Sequence, residues 1–222
     1  MQPGYICVAG IDVQSDEHIR PVLLGARLTV NLLRRKGGVF DVASMVDLGQ
    51  TKPHGVPPET EDHIFDPAQL VGLRDLGAGP FWKLLKAVSH KRLADIFGKD
   101  LKAQRSGCAV DEGTGSASLG CLQATTPPEV FINSWGKIRA RVTDGSFDVD
   151  LSVTDLRLYE EDQETPRSKV VAEVQRRIED GVGVVLSVGL ARAFRASGDT
   201  ARRHWLQLNN FHLEDDPAWQ AK

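Results

Sequence analysis

The amino-acid sequence predicts a mainly β protein with accessory helices, an α+β chain folded as two Greek-key barrels in tandem. Three observations predict it. The second half alternates apolar and polar residues in strand-sized runs, interrupted by one amphipathic helix after the third run. The first half opens with similar runs and turns helical late. A small, Gly/Ser-rich stretch at residues 106–118 lies between them, which places the two domains at 1–110 and 111–222. The order β-β-β-α-β-β in the second half is that of a five-stranded barrel of the OB type. Such barrels take single strands and other oligomers on one open face.

In the second half, residues 119–124 are a short first strand, 130–142 the second and 146–159 the third. Asp144-Gly145 signals the hairpin between the last two. With that pair at the tip, Arg141 faces Asp148, Arg139 faces Asp150, Lys137 faces Ser152 and Trp135 faces Thr154. Ile138, Ala140 and Val142 then point to the core with Leu151, Val149 and Phe147. Thr165-Pro166 opens a helix over 167–180, with an N-cap and a first-turn proline. Val170, Val171, Val174 and Ile178 are its apolar stripe. Residues 182–194 and 204–213 are the fourth and fifth strands. Val184, Leu186, Val188 and Leu190 alternate in one; Leu206 and Leu208 point inward in the other.

The first half begins with an apolar run at 5–13, followed by strand patterns at 19–24 and 27–33. In the latter, Leu28, Val30 and Leu32 alternate with Arg27, Thr29 and Asn31. Gly37-Gly38 marks a turn, 39–48 is another strand candidate, and the three prolines of 53–58 mark a loop. Asp66-Pro67 is a helix start. A stronger helix is expected over 80–97, where Phe81, Leu84, Leu85, Val88, Leu93, Ile96 and Phe97 recur at helical spacing. Gly98 suits its end.

Composition narrows the class. A length of 222 residues suffices for a real core without staples. The net charge is −3, which excludes a strongly basic protein that coats nucleic acid but leaves room for a local basic face. Residues 1–110 carry 14 basic and 12 acidic side chains, net +2; residues 111–222 carry 13 and 18, net −5. Three cysteines without a CxxC pair argue for a reducing cytoplasm rather than a disulfide framework. No signal peptide is readable at the N-terminus and no run is long enough to span a membrane.

Several short motifs carry a resemblance. They are Cys7-Val8-Ala9-Gly10-Ile11 and His18-Ile19-Arg20-Pro21-Val22 near the start, then Phe40-Asp41-Val42 and Pro58-Glu59-Thr60-Glu61-Asp62. Leu186-Ser187-Val188-Gly189-Leu190 and His204-Trp205-Leu206-Gln207-Leu208-Asn209-Asn210 follow. Over nearly its whole length the chain resembles the prokaryotic dual OB-containing domain family. The resemblance implies two OB-like units, nucleic-acid or nucleotide binding, and a mobile-element or defence setting. It brings no established catalytic residues. Arg20 is the motif position that reads most readily as a ligand contact; a structural arginine paired with a carboxylate is the equal alternative.

Two constellations point to a ligand. Trp135, Lys137, Arg139 and Arg141 share one strand face, where bases stack and phosphates pair. Asp148 and Asp150 across the hairpin offer the plainer role of neutralising those arginines. Arg192, Arg195, Arg202 and Arg203 flank the connection between the last two strands, beside Trp205 and Asn209, a setting suited to a phosphate-bearing ligand. A solvated tip with Trp205 packed on the first half is the alternative. The basic run 83–105 reads as a solvated helix face or a backbone track. His54 and His63 near Glu59, Glu61 and Asp62 are spaced wrongly for a metal, and Cys7 reads as a small buried hydrophobe. The sequence thus predicts a non-enzymatic, cytoplasmic module without metal or cofactor. It is expected to bind single-stranded DNA, RNA or a nucleotide through Arg20, Trp135, Lys137, Arg139, Arg192, Arg203, Trp205 and Asn209. The second expectation is an adaptor or sensor subunit that docks a partner enzyme through its barrel faces.

Overall fold

A computed structural model of the chain describes residues 3–104, 107–123, 125–196 and 198–221. The expected extension of the first barrel strand to Ala124, the Arg105 end of the basic run and the Ser106 start of the Gly/Ser stretch lie outside them. The first half holds β1 (Gly10–Ile11), β2 (His18–Val22), β3 (Ser44–Asp47), β4 (Lys52–Pro53), β5 (Asp62–Ile64) and β6 (Val71–Asp75). Four of them pair in the order β1-β2-β5-β4, with β2 and β5 parallel; β3 and β6 form a separate antiparallel pair. Then come α1 (Ala78–Ala87), β7 (Ser89–His90), α2 (Leu93–Phe97), β8 (Lys102–Gln104) and β9 (Gly107–Asp111).

The second half holds β10 (Leu119–Leu122), β11 (Glu129–Ile132), β12 (Ile138–Thr143), β13 (Asp148–Val153), α3 (Ser168–Glu179), β14 (Val184–Leu190) and β15 (Arg203–Leu213). Their order is β11-β12-β13-β15-β14-β10. An OB barrel runs strand one, two, three, five, four and back to one. Here β10 and β11 are two pieces of strand one: β10 pairs with β14, β11 with β12, and the chain between them joins the ends of the path. β13 and β15, the third and fifth strands, are parallel as that order requires. Among the described residues the fold is mainly β with three α-helices, the second half in OB order. The core of this half is built from alternating residues such as Ile138, Ala140, Val142, Leu151, Leu186 and Leu208, closed by Val171, Val174 and Ile178 of α3.

Three expectations are corrected. Residues 130–142 are two strands, not one. Asn133 accepts at Oδ1 from the N–H groups of Trp135 (3.1 Å) and Lys137 (2.9 Å), and Gly136 takes φ 69°, so Asn-Ser-Trp-Gly is a turn. The helix expected over 80–97 is broken. Ser89 Oγ donates to the Leu85 carbonyl (2.6 Å), Ser89 and His90 pair with the edge of β10, and buried Asp144 accepts from Leu93 N (2.6 Å) to restart α2. Residues 27–33 form no named strand. They curl into successive 3-10 turns at Val30–Leu32 and Arg34–Lys36, with Gly38 so close that a Cβ would lie 2.2 Å from the Leu32 carbonyl carbon. Asp66 does cap, but only a 3-10 turn, Pro67–Gln69.

The β12–β13 hairpin has the expected faces in a register moved by two. Its tip is Gly145-Ser146, so Arg141 faces Asp150 and Arg139 faces Ser152. A two-residue shift keeps every side chain on its side of the pleat. The cause is Asp144, whose Oδ1 accepts from Ser146 N and Phe147 N at the head of the turn. The stretch expected to separate the halves contains β9, which pairs with the start of β15, and Leu93, Phe97, Leu101, Cys108 and Val110 join the core of the second half.

Candidate ligand-binding site

Two loops lead into strands of this barrel, 133–137 before β12 and 191–202 before β15. In OB barrels the outer face of the second and third strands, here β12 and β13, and such loops hold the oligomer. Trp135 stands at the first loop with 82% of its surface exposed, and Lys137 is exposed beside it. Neither lies on the strand face where the sequence placed them, because the turn at Asn133 lifts both off it. Arg139 and Arg141 do point outward from β12. A cavity of about 370 Å³ lies over them, lined also by Gln104, Gly107, Asp148, Val149 and Asp150, so β8 and β9 wall one side.

The arginines here are held rather than loose. Arg139 donates to Ser152 Oγ (2.5 Å) and to the Asp150 carbonyl (2.6 Å). Arg141 pairs with Glu129 (2.9 Å) and Asp150 (3.1 Å), over the Phe131 ring. At the far loop Arg203 pairs with Asp111 (2.9 Å) and with Asp199, and Arg202 pairs with Glu112 (3.2 Å). Phe194 is 46% exposed, and its ring centroid lies 6.3 Å from that of Trp205. The sequence reading missed Phe194 because it ends the apolar run taken as the fourth strand; β14 in fact stops at Leu190. Trp205 is half-buried with an indole N–H that has no acceptor among the described residues. Asn209 lies away from this loop and donates to Thr154 Oγ1 (2.9 Å) at the seam of β13 and β15.

Arg20 is not at the surface. It is 3% exposed, and its Nε donates to Asp62 Oδ1 (2.5 Å), its partner in the β2–β5 ladder. The other oxygen of Asp62 accepts from Arg192 (2.7 Å), which also pairs with Glu59 (2.5 Å). Buried His204 lies 3.5 Å from Glu59 and 3.0 Å from the Ala191 carbonyl. The structure therefore brings Arg20 and Arg192 together through one carboxylate across the two halves. Cys7 joins them, and here too the expectation of a buried hydrophobe is corrected. The residue is exposed, although its thiol lies among protein atoms. Burial pushes the thiol pKa up, against the pull of the Arg20 and Arg192 guanidiniums. Cys7, Arg20, Glu59, Asp62 and His204 each belong to one of the short motifs quoted above.

A second chain of polar groups runs through the interior. Ser187 Oγ lies 2.9 Å from His212 Nε2, whose Nδ1 lies 3.0 Å from the Pro217 carbonyl. Cys121 lies 3.9 Å from Ser187 and 3.7 Å from His18. Burial pushes His212 down to about 4 and the Cys121 thiol up to about 11, so neither is tuned for proton transfer near neutral pH. Among the described residues no group of three or more His, Cys, Asp or Glu side chains is placed to hold a metal ion, and no helix is long and apolar enough to cross a membrane.

A family model described as a dual OB-containing domain matches residues 1–210. Neither the curated proteins nor the solved structures contain a match to this chain.

Proposed function

We propose, from the premise that this chain belongs to the dual OB-containing domain family, that it is a non-enzymatic module for single-stranded nucleic acid or a nucleotide-type ligand. The ligand lies on the β12–β13 face between Trp135 and the Phe194–Trp205 pair. The observation that carries the reading is an exposed aromatic in each of the two loops, Trp135 at 82% before β12 and Phe194 at 46% before β15. Base stacking on such rings is tolerant of sequence. Lys137 and Arg195 supply cations at the two loops, with no acidic partner among the described residues. Arg139 and Arg203 supply further donors from fixed positions. The free thiols of Cys7, Cys108 and Cys121 suit a reducing cytoplasm.

Labelled single-stranded DNA and RNA, titrated by fluorescence anisotropy through a salt series, test the reading. The log–log slope falls by about 0.7 for each phosphate neutralised, so a slope of about −2 or steeper is expected. Trp135→Ala and Phe194→Ala should each weaken binding by about 1–3 kcal/mol while leaving melting unchanged. No binding at low salt overturns the reading.

A protein adaptor is the second reading. Two observations favour it. Acidic partners occupy Arg141, Arg192, Arg202 and Arg203. The edge strand β6 also exposes Val71 (51%) and Leu73 (59%). Such a protein would ignore oligonucleotides and co-purify with a partner that is lost on Leu73→Lys.

A further inference from the structure

We propose that the seam between the two halves at Arg20, Arg192 and Cys7 is an oxoanion site, built for a phosphate-type group. Asp62 holds two guanidiniums side by side, one on each carboxylate oxygen. Arg20 is 3% exposed, and its Nη2 has no acceptor among the described residues. Native proteins seldom bury a charged donor without a partner, and such a group commonly meets an ion or ligand. Arg192 is reachable, because its side chain is 55% exposed. Its planar fork suits phosphate geometry.

Cys7, the cysteine of the three whose residue is exposed, borders the seam with its thiol among protein atoms. Burial raises its thiol pKa on balance, while the two guanidiniums pull it down and Asp62 adds to the rise, so the thiol lies within reach of both cations. An anion seated there feels the same two cations. Glu59 is 7% exposed and binds Arg192 through Oε2, while its Oε1, 3.5 Å from His204 Nδ1, accepts no hydrogen bond among the described residues. That oxygen can accept from a protonated phosphate oxygen. The proposal stands apart from strand binding on the β12–β13 face, because free phosphate is enough to occupy the site.

Cys7 supplies the readout. Its alkylation by iodoacetamide is followed by peptide mass mapping in inorganic phosphate and in sodium chloride of equal ionic strength. At about four times Kd, one-fifth of the sites are empty, so the rate should fall about fivefold in phosphate and not in chloride. Arg192→Gln should abolish the protection. If that variant does not fold, Arg192→Lys keeps the charge, loses the fork and should weaken it. A 5′-phosphorylated oligonucleotide that protects where its 5′-hydroxyl twin does not identifies a strand end as the source. Protection by 5′-AMP and free phosphate alone identifies a small molecule. Equal rates in phosphate and chloride, or protection that survives Arg192→Gln, overturn the proposal. If the thiol resists the reagent, melting decides: phosphate must raise the melting temperature of the wild type over chloride, and no rise overturns the site.

Discussion

Asp155→Ala is expected to remove about 3–5 kcal/mol of folding stability, the cost of breaking a buried ion pair on one side. Asp155 is fully buried and Arg157 nearly so. The carboxylate accepts from Arg157 Nε (2.9 Å), Arg157 Nη2 (2.7 Å), Arg157 N (3.1 Å) and Phe211 N (3.1 Å). The guanidinium then donates to the Phe211 and Trp219 carbonyls and lies 4.0 Å from the Trp219 ring centroid. Alanine would leave that cation in the core without its counter-charge and strand two backbone N–H groups. In a chain of this length each kcal/mol moves the melting point by about 2–4 °C, so a fall of roughly 6–20 °C is expected in thermal melts. A shift under about 2 °C would mean that water or a nearby acid replaces the carboxylate.

The same residue sets an acid limb. Burial raises the Asp155 pKa, but the Arg157 charge and the hydrogen bonds outweigh it, and the net pKa lies below 3.8. A carboxylate depressed in the folded state stabilises fully above its unfolded pKa, and that contribution is lost as pH falls through the folded one. His212 acts at higher pH. Its folded pKa of about 4 against 6.5 means that its neutral form stabilises above 6.5, and that this is lost as pH falls from 6.5 to 4. Melts from pH 8 to 3 should therefore decline in two stages. His212→Phe, which keeps a ring against Phe81, should remove the upper stage.

Local pattern made α3, β14 and β15 legible. Each carries a single period over seven or more residues, and each buries the stripe that the period marks. The break inside 130–142 was not legible, because Val130 to Ile132 and Ile138 to Val142 are both apolar-alternating and only Asn133 and Gly136 divide them. The break between α1 and α2 depends on partners far away in sequence, β10 and Asp144. The candidate site divides the same way. Trp135, Arg139 and Arg203 follow from the barrel order. The seam does not, since Arg192 reaches Asp62 across 130 positions and no local period encodes that meeting. Glu59, Glu61 and Asp62 follow the proline loop and read only as neighbours of a wrongly spaced histidine pair, yet all three are buried.

Glu61 shows what that loop does, and its loss is the second large effect expected. From the first half it reaches β10, where Oε1 accepts from Ser118 N (2.7 Å) and Leu119 N (3.0 Å) and Oε2 accepts from Ser118 Oγ (2.7 Å). Ser118 is fully buried, so water is not at hand to replace these bonds. Glu61→Ala strands three donors at roughly 1–3 kcal/mol each, and the low end alone is about 3 kcal/mol. Melting should fall by at least about 6 °C. Glu61→Gln should cost less, because its remaining oxygen still accepts from the two backbone N–H groups while the Ser118 hydroxyl turns to accept from the new amide. The Glu61 carbonyl also accepts from Arg20 N (2.8 Å), so this residue ties the first-half sheet to the second-half barrel immediately beside Asp62. Loss of the tie should therefore weaken cooperativity as well as stability. Calorimetry of Glu61→Ala should give a calorimetric enthalpy above the van't Hoff value, the mark of two halves that no longer melt together. A sharp, unshifted transition would show instead that the Arg20–Asp62–Arg192 bridge joins the halves without it.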